Sequence, residues 1–167
     1  MKASVQKGDG RWTLLLMREL RHPPARVWEA LTDPAQLVEW APFDVSRNLG
    51  SVGPVKLSTV GAPTPQVAEC TVKRAEAPSL LEYDWGGQQL RWQLEPSDAG
   101  TRLTLWHNID RRFIAWGAAG WHICFDVLDR LLAGDPIGRI VGPEATRRED
   151  WQRLKAEYAE QFGVDKN

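Results

Sequence analysis

Apolar residues change their spacing twice along the chain. Residues 11–20, "RWTLLLMREL", read as a strand. The next stretch, "HPPARVWEALTD", has helical spacing, with Val27, Trp28 and Leu31 on one face and Pro23–Pro24 where a helix can begin. Asp33 followed by Pro34 and Gln36 has the form of a new N-cap. Two short helices, 24–32 and 34–40, are therefore expected. From Phe43 the helical period is gone, and a two-residue alternation marks strands at 54–60, 66–75, 80–86, 89–95 and 101–109. A loop is expected at 61–65, a tight hairpin at Gly86-Gly87 and a second turn at 97–100, so neighbouring strands should be antiparallel. Helical spacing returns over 113–132 and stops at Gly134-Asp135-Pro136. A last helix is expected within 144–162, with Thr146 and Glu149 spaced as a capping box, although Pro143 permits an earlier start. Trp151, Leu154, Tyr158 and Phe162 form its buried stripe, and Gly163 ends it. This order predicts an α+β domain.

Composition narrows the classes of function. The chain of 167 residues suits one domain, and its formal charge of −1 argues against a nucleic-acid footprint. No apolar run has the length of a membrane span, and "MKASVQKGDGRW" lacks the apolar core of a signal peptide, so a cytoplasmic protein is expected. Cys70 and Cys124 fit as reduced, buried thiols, a disulfide between them being the alternative. Nine tryptophans can build a core, but they also suit the lining of an apolar ligand site.

Three segments carry a family resemblance: "PPARVWEALTDPAQLVEWAPF" (23–43), "GTRLTLWHNID" (100–110) and "AAGWHICFDVLDRLLAG" (118–134). With the order of elements, they resemble the START-like, or birch-pollen-allergen-like (SRPBCC), superfamily, in the branch named after the activator of the heat-shock-protein ATPase. The resemblance implies a helix-grip fold. In that fold a curved antiparallel sheet wraps a long C-terminal helix, and two short helices follow the first strand. It implies one domain over 1–167, with a core of about 11–134 and a helical extension over 135–163. The superfamily includes lipid and hormone carriers, polyketide cyclases and co-chaperones, so the function has to be read from the site.

His107 is the first chemical candidate. It is in phase with Leu103 and Leu105 and should face the interior. There it could orient a ligand carbonyl or act as an acid–base, or it could be a buried histidine satisfied by its neighbours. His122 falls on the polar stripe of the long helix, four residues before Asp126, and no third or fourth metal ligand has readable spacing. No metal and no cofactor are expected. Asp44 and Arg47 lie near the expected mouth, as surface residues or as anchors for a polar ligand end. Trp12 and Trp28 read as core, and Trp106, out of phase, as an outer-face residue under the last helix or at a homodimer contact.

The candidate pocket wall comprises Trp40, Phe43, Leu57, Tyr83, Trp85, Trp92, Leu105 and His107 from the sheet side, and Trp116, Cys124, Phe125 and Leu128 from the long helix. The expected function is binding of a hydrophobic or aromatic small molecule, lipid-like or polyketide-like, between sheet and helix. A cyclase or dehydratase using His107, and a chaperone-linked interaction module, are the alternatives.

Overall fold

The computed structural model describes every residue except Ala62, Pro65, Lys166 and Asn167. The expected loop at 61–65 thus falls partly outside the described residues. Among the described residues, eight strands form one antiparallel sheet. They are β1 (Lys2–Gln6), β2 (Arg11–Leu20), β3 (Phe43–Val45), β4 (Gly53–Thr59), β5 (Gln66–Glu76), β6 (Leu80–Trp85), β7 (Gln88–Ser97) and β8 (Gly100–Asp110). Their spatial order is β1-β2-β8-β7-β6-β5-β4-β3, so β8 returns to pair with β2. The α-helices among the described residues are α1 (Pro24–Thr32), α2 (Pro34–Leu37), α3 (Ile114–Leu132), α4 (Gly142–Thr146) and α5 (Glu149–Phe162). A curved antiparallel sheet gripping a long late helix is the α+β helix-grip architecture anticipated from the order of elements.

Local chemistry explains most boundaries. Asp33 leaves the helical region at ψ 120°, which ends α1, and its carboxylate then accepts from the Ala35 amide at 3.0 Å to start α2. Gly86 and Gly87, at φ 55° and 86°, close β6 onto β7 in two residues. Positive φ at both positions is what such a hairpin needs and what glycine permits. A bulge near Lys73 shifts the β5–β6 register and bends the sheet there.

Several boundaries differ from the sequence expectation. α2 ends at Leu37, not at residue 40, because the chain must turn so that the Trp40 indole can donate to the Ala30 carbonyl at 2.9 Å. β1 and β3 are strands that the alternation did not signal. Both are short and lie at the sheet edges, where pairing with β2 and β4 decides their conformation. The last helix is two helices, and the capping box is not formed. Arg148 is the N-cap of α5, and the Thr146 hydroxyl donates instead to the Pro143 carbonyl at 3.3 Å. Trp28 is only partly buried, whereas Trp12 is in the core. Trp106 lies under the Arg91 guanidinium, 5.0 Å from its ring.

α3 lies across the sheet, and its two halves meet different surroundings. Its C-terminal half enters a close-packed centre. There Trp92 meets Trp40 edge-on at 5.9 Å and Phe125 at 6.0 Å, and its indole donates to the Tyr83 hydroxyl at 3.1 Å. The polar stripe of α3 faces the C-terminal part of β2, where Arg18 reaches Asp126 at 2.6 Å and Asp129 at 3.4 Å. α5 packs along α3, with Tyr158 bonded to His122 at 2.7 Å and Trp151 edge-on to Trp116 at 4.8 Å.

Candidate functional site

The N-terminal half of α3 touches the sheet through Trp121 and Gly117, and beside these contacts a cavity of about 570 Å3 opens between helix and sheet. The helix presents Phe113, Trp116, Gly117, Gly120, Trp121 and Cys124 to it, residues three and four apart and so on one face. Gly120 widens the gap: a Cβ built there meets nothing within 4 Å. A helix-interior glycine costs about 1 kcal/mol relative to alanine, so the open space comes at the expense of helix stability. The sheet side supplies Thr59, Trp85, Gln88, His107 and Ile109.

The remaining wall comes from the segment after α3, through Ile140, Val141, Gly142, Pro143, Ala145 and Thr146, and from Trp151 of α5. This strap is tied down at two points. Arg139 donates to the Val38 carbonyl at 2.5 Å and pairs with Asp44 at 2.6 Å. Gly142, at φ 60°, crosses Gly61 so closely that a Cβ on it would lie 2.8 Å from the Gly61 Cα. Only two glycines can cross at that distance.

His107 sits at the floor of the cavity, 2% exposed, and both its ring nitrogens are engaged. The Trp121 indole donates to Nδ1 at 3.0 Å, and Nε2 lies 2.5 Å from the Gln88 side-chain oxygen. An indole N–H can only donate, so Nδ1 is bare and Nε2 carries the proton. Burial, with a smaller contribution from the Arg11 charge, pushes the His107 pKa down to about 3 and keeps the ring neutral. Trp85 stands over the ring at 6.0 Å, its own indole bonded to the Thr59 hydroxyl at 3.0 Å. No free lone pair remains on the imidazole to take a proton from a substrate.

Of the sequence candidates, the cavity wall takes Trp85, His107, Trp116 and Cys124. Trp116 is 48% exposed at the rim. The other eight do not line it. Trp40, Phe43, Leu57, Tyr83, Trp92, Leu105, Phe125 and Leu128 are fully buried in the solid centre. Their side chains do face the interior, but over this stretch sheet and helix are in contact. Burial pushes the Tyr83 phenol up and the Cys124 thiol up to about 12, so neither ionises readily. Cys70 and Cys124 are free thiols.

The polar candidates lie elsewhere. Asp44 anchors Arg139, and Arg47 is consumed by the carbonyls of Asn48, Ser51, Gly53 and Pro54. His122 is half-buried, its pKa lowered by burial against the opposing effect of Asp126. Among the described residues no three His, Cys, Asp or Glu side chains are grouped so that they could hold a metal ion. Sequence reasoning missed the strap, Gly120 and Gln88. The signal for the strap was Ile140-Val141, an apolar pair between glycines and outside any helix, which had to be buried somewhere.

Comparison with known proteins bears on the fold and the family. The chain resembles CalU16 from Micromonospora echinospora at 20% identity and a TM-score of 0.69, over 95% of this chain and 96% of that one. It resembles EF2215 from Enterococcus faecalis, described as a conserved protein of unknown function, at 17% identity and a TM-score of 0.72, over 96% of this chain and 90% of that one. DynU16, described as a putative protein in the dynemicin biosynthetic locus, matches at 23% identity and a TM-score of 0.64, over 77% of this chain and 49% of that one. Likeness at these identities establishes the fold. No curated protein matches the chain. The model of one family, Activator of Hsp90 ATPase homolog 1-like protein, matches residues 21–133, from the approach to α1 to the end of α3, and the chain belongs to that family.

Proposed function

We propose that this protein binds an uncharged hydrophobic or aromatic small molecule in the cavity under the N-terminal half of α3. The observation that carries this reading is the cavity itself: about 570 Å3, walled by Trp85, Trp116, Trp121, Trp151 and Phe113 with few polar groups. Ligand sites are typically concave and mostly apolar, with a few placed hydrogen-bonding groups. Burying about 300 Å2 of apolar ligand surface is worth roughly 7 kcal/mol before the cost of association. The family's helix-grip fold, and the description of one structural neighbour as coming from a biosynthetic locus, accord with the handling of a small molecule. The closed hydrogen bonding of His107 favours a carrier over an enzyme that uses this residue as a base.

Fluorescence titration with a panel of uncharged aromatic and aliphatic compounds tests the reading. Four tryptophans line the cavity, so a ligand should quench or shift their emission. Gly120→Leu fills the open space from the helix side and should weaken binding at least tenfold in a protein that is still folded. Binding unaffected by Gly120→Leu would place the ligand elsewhere and end the proposal, as would silence across the whole panel.

A further inference from the structure

Gln88 is the first residue of β7, directly after the Gly86-Gly87 hairpin, and its side chain lies on the cavity wall. Its orientation is dictated from a distance. The Trp121 indole is a donor only, which leaves His107 Nδ1 bare and puts the single proton of the neutral ring on Nε2. That N–H donates toward Gln88, 2.5 Å away, where only the amide oxygen can accept it. The amide of Gln88 is thereby fixed with its oxygen toward His107 and its NH2 turned away from it. Among the described residues none accepts from that NH2.

The other polar groups of the wall impose no such choice. The Thr59 hydroxyl already accepts from the Trp85 indole and can donate or accept toward a ligand. The Thr146 hydroxyl is turned to the Pro143 carbonyl. Among the described residues, the lining contains no Asp, Glu, Lys or Arg. The cavity thus offers one orientation-locked donor in an uncharged aromatic enclosure.

Building on the small-molecule reading above, we infer that Gln88 sets ligand specificity by donating from its side-chain NH2 to an acceptor oxygen of an uncharged aromatic ligand, such as an aryl ketone or quinone. His107 and Trp121 are positioning residues that act through Gln88. A ligand donor at that point would face another donor, and an anion there would meet no cation in the lining, Lys155 lying over Trp116 and Trp151 at the rim.

The test uses two probes of nearly the same shape, 2-acetylnaphthalene and 2-isopropenylnaphthalene, which differ in C=O against C=CH2. Affinities are measured by tryptophan fluorescence and calorimetry on the full chain. The ratio of ketone to hydrocarbon affinity should fall five- to tenfold from wild type to Gln88→Leu, with hydrocarbon affinity little changed. Gln88→Glu keeps an acceptor for His107 but offers the ligand an oxygen, and should lower ketone affinity more than tenfold. His107→Phe should lower the ratio while still binding the hydrocarbon, a change that mere loss of packing would not single out. An unchanged ratio in folded Gln88→Leu and Gln88→Glu overturns the inference but leaves the carrier reading standing, since wild type would still bind both probes. Failure of wild type to bind either probe overturns both.

Discussion

His107 is where residue-scale chemistry has its largest consequence for stability. In the unfolded chain it titrates near 6.5, and in the fold it is pushed to about 3. Between those values the unfolded state holds a proton that the folded state refuses. Stability is therefore complete above about pH 6.5 and is lost as pH falls toward 3, at up to about 1.4 kcal/mol per pH unit. Urea unfolding at pH 7 and pH 5 should differ by roughly 2 kcal/mol from this residue alone. His107→Gln, less stable at pH 7, should show a correspondingly smaller difference between the two pH values; an unchanged difference would assign the acid sensitivity to other groups. Residue-scale packing also separates the twelve wall candidates into two sets. Phe125→Ala, at a fully buried position, should cost about 3–5 kcal/mol, whereas Trp116→Ala, half exposed at the rim, should cost far less while weakening ligand binding. Gly120→Ala should stabilise the protein by up to about 1 kcal/mol in thermal or chemical melts, since the added methyl meets no neighbour and the helix gains propensity.

Among the elements, the strap between α3 and α5 matters most to the site. It carries a large part of the cavity wall but holds to the sheet side through few polar contacts, chiefly Arg139 with Asp44 and Val38. Arg139 is largely buried, and Asp44 is half exposed. Asp44→Ala should cost about 1–3 kcal/mol, because a buried guanidinium loses its counter-ion and a charged hydrogen bond. It should also speed proteolysis within residues 135–148 ahead of the rest of the chain, read by mass spectrometry of the first fragments. Cleavage that begins in the β-sheet instead would show the strap is not held by this pair. The strands and α3 were legible from period alone because each buries one face, and burial imposes period. β1, β3 and the strap were not, since short edge strands and irregular segments take their conformation from neighbours.

For the molecule as a whole, a ligand that binds only the folded state should raise the melting temperature. At a hundred times its Kd the gain is about 2.7 kcal/mol, or roughly 5–10 °C for a chain of this size. Gly120→Leu should lose that ligand-induced shift while melting no lower than wild type without ligand. By itself the sequence determined the order of strands and helices, which with the family resemblance implied the helix-grip fold, and it determined the interior place of His107, because period follows from which side chains must leave water. Only the tertiary structure decided which inward residues touch each other and which face empty space. That depends on the gap between α3 and the sheet, on a glycine that fills none of it, and on a strap folded back from far along the chain. The hydrogen-bonded line from Trp121 through His107 to Gln88 was equally beyond the sequence. Periodicity gives the direction of a side chain but not its distance from a partner on another element, and a hydrogen bond is decided within a few tenths of an ångström.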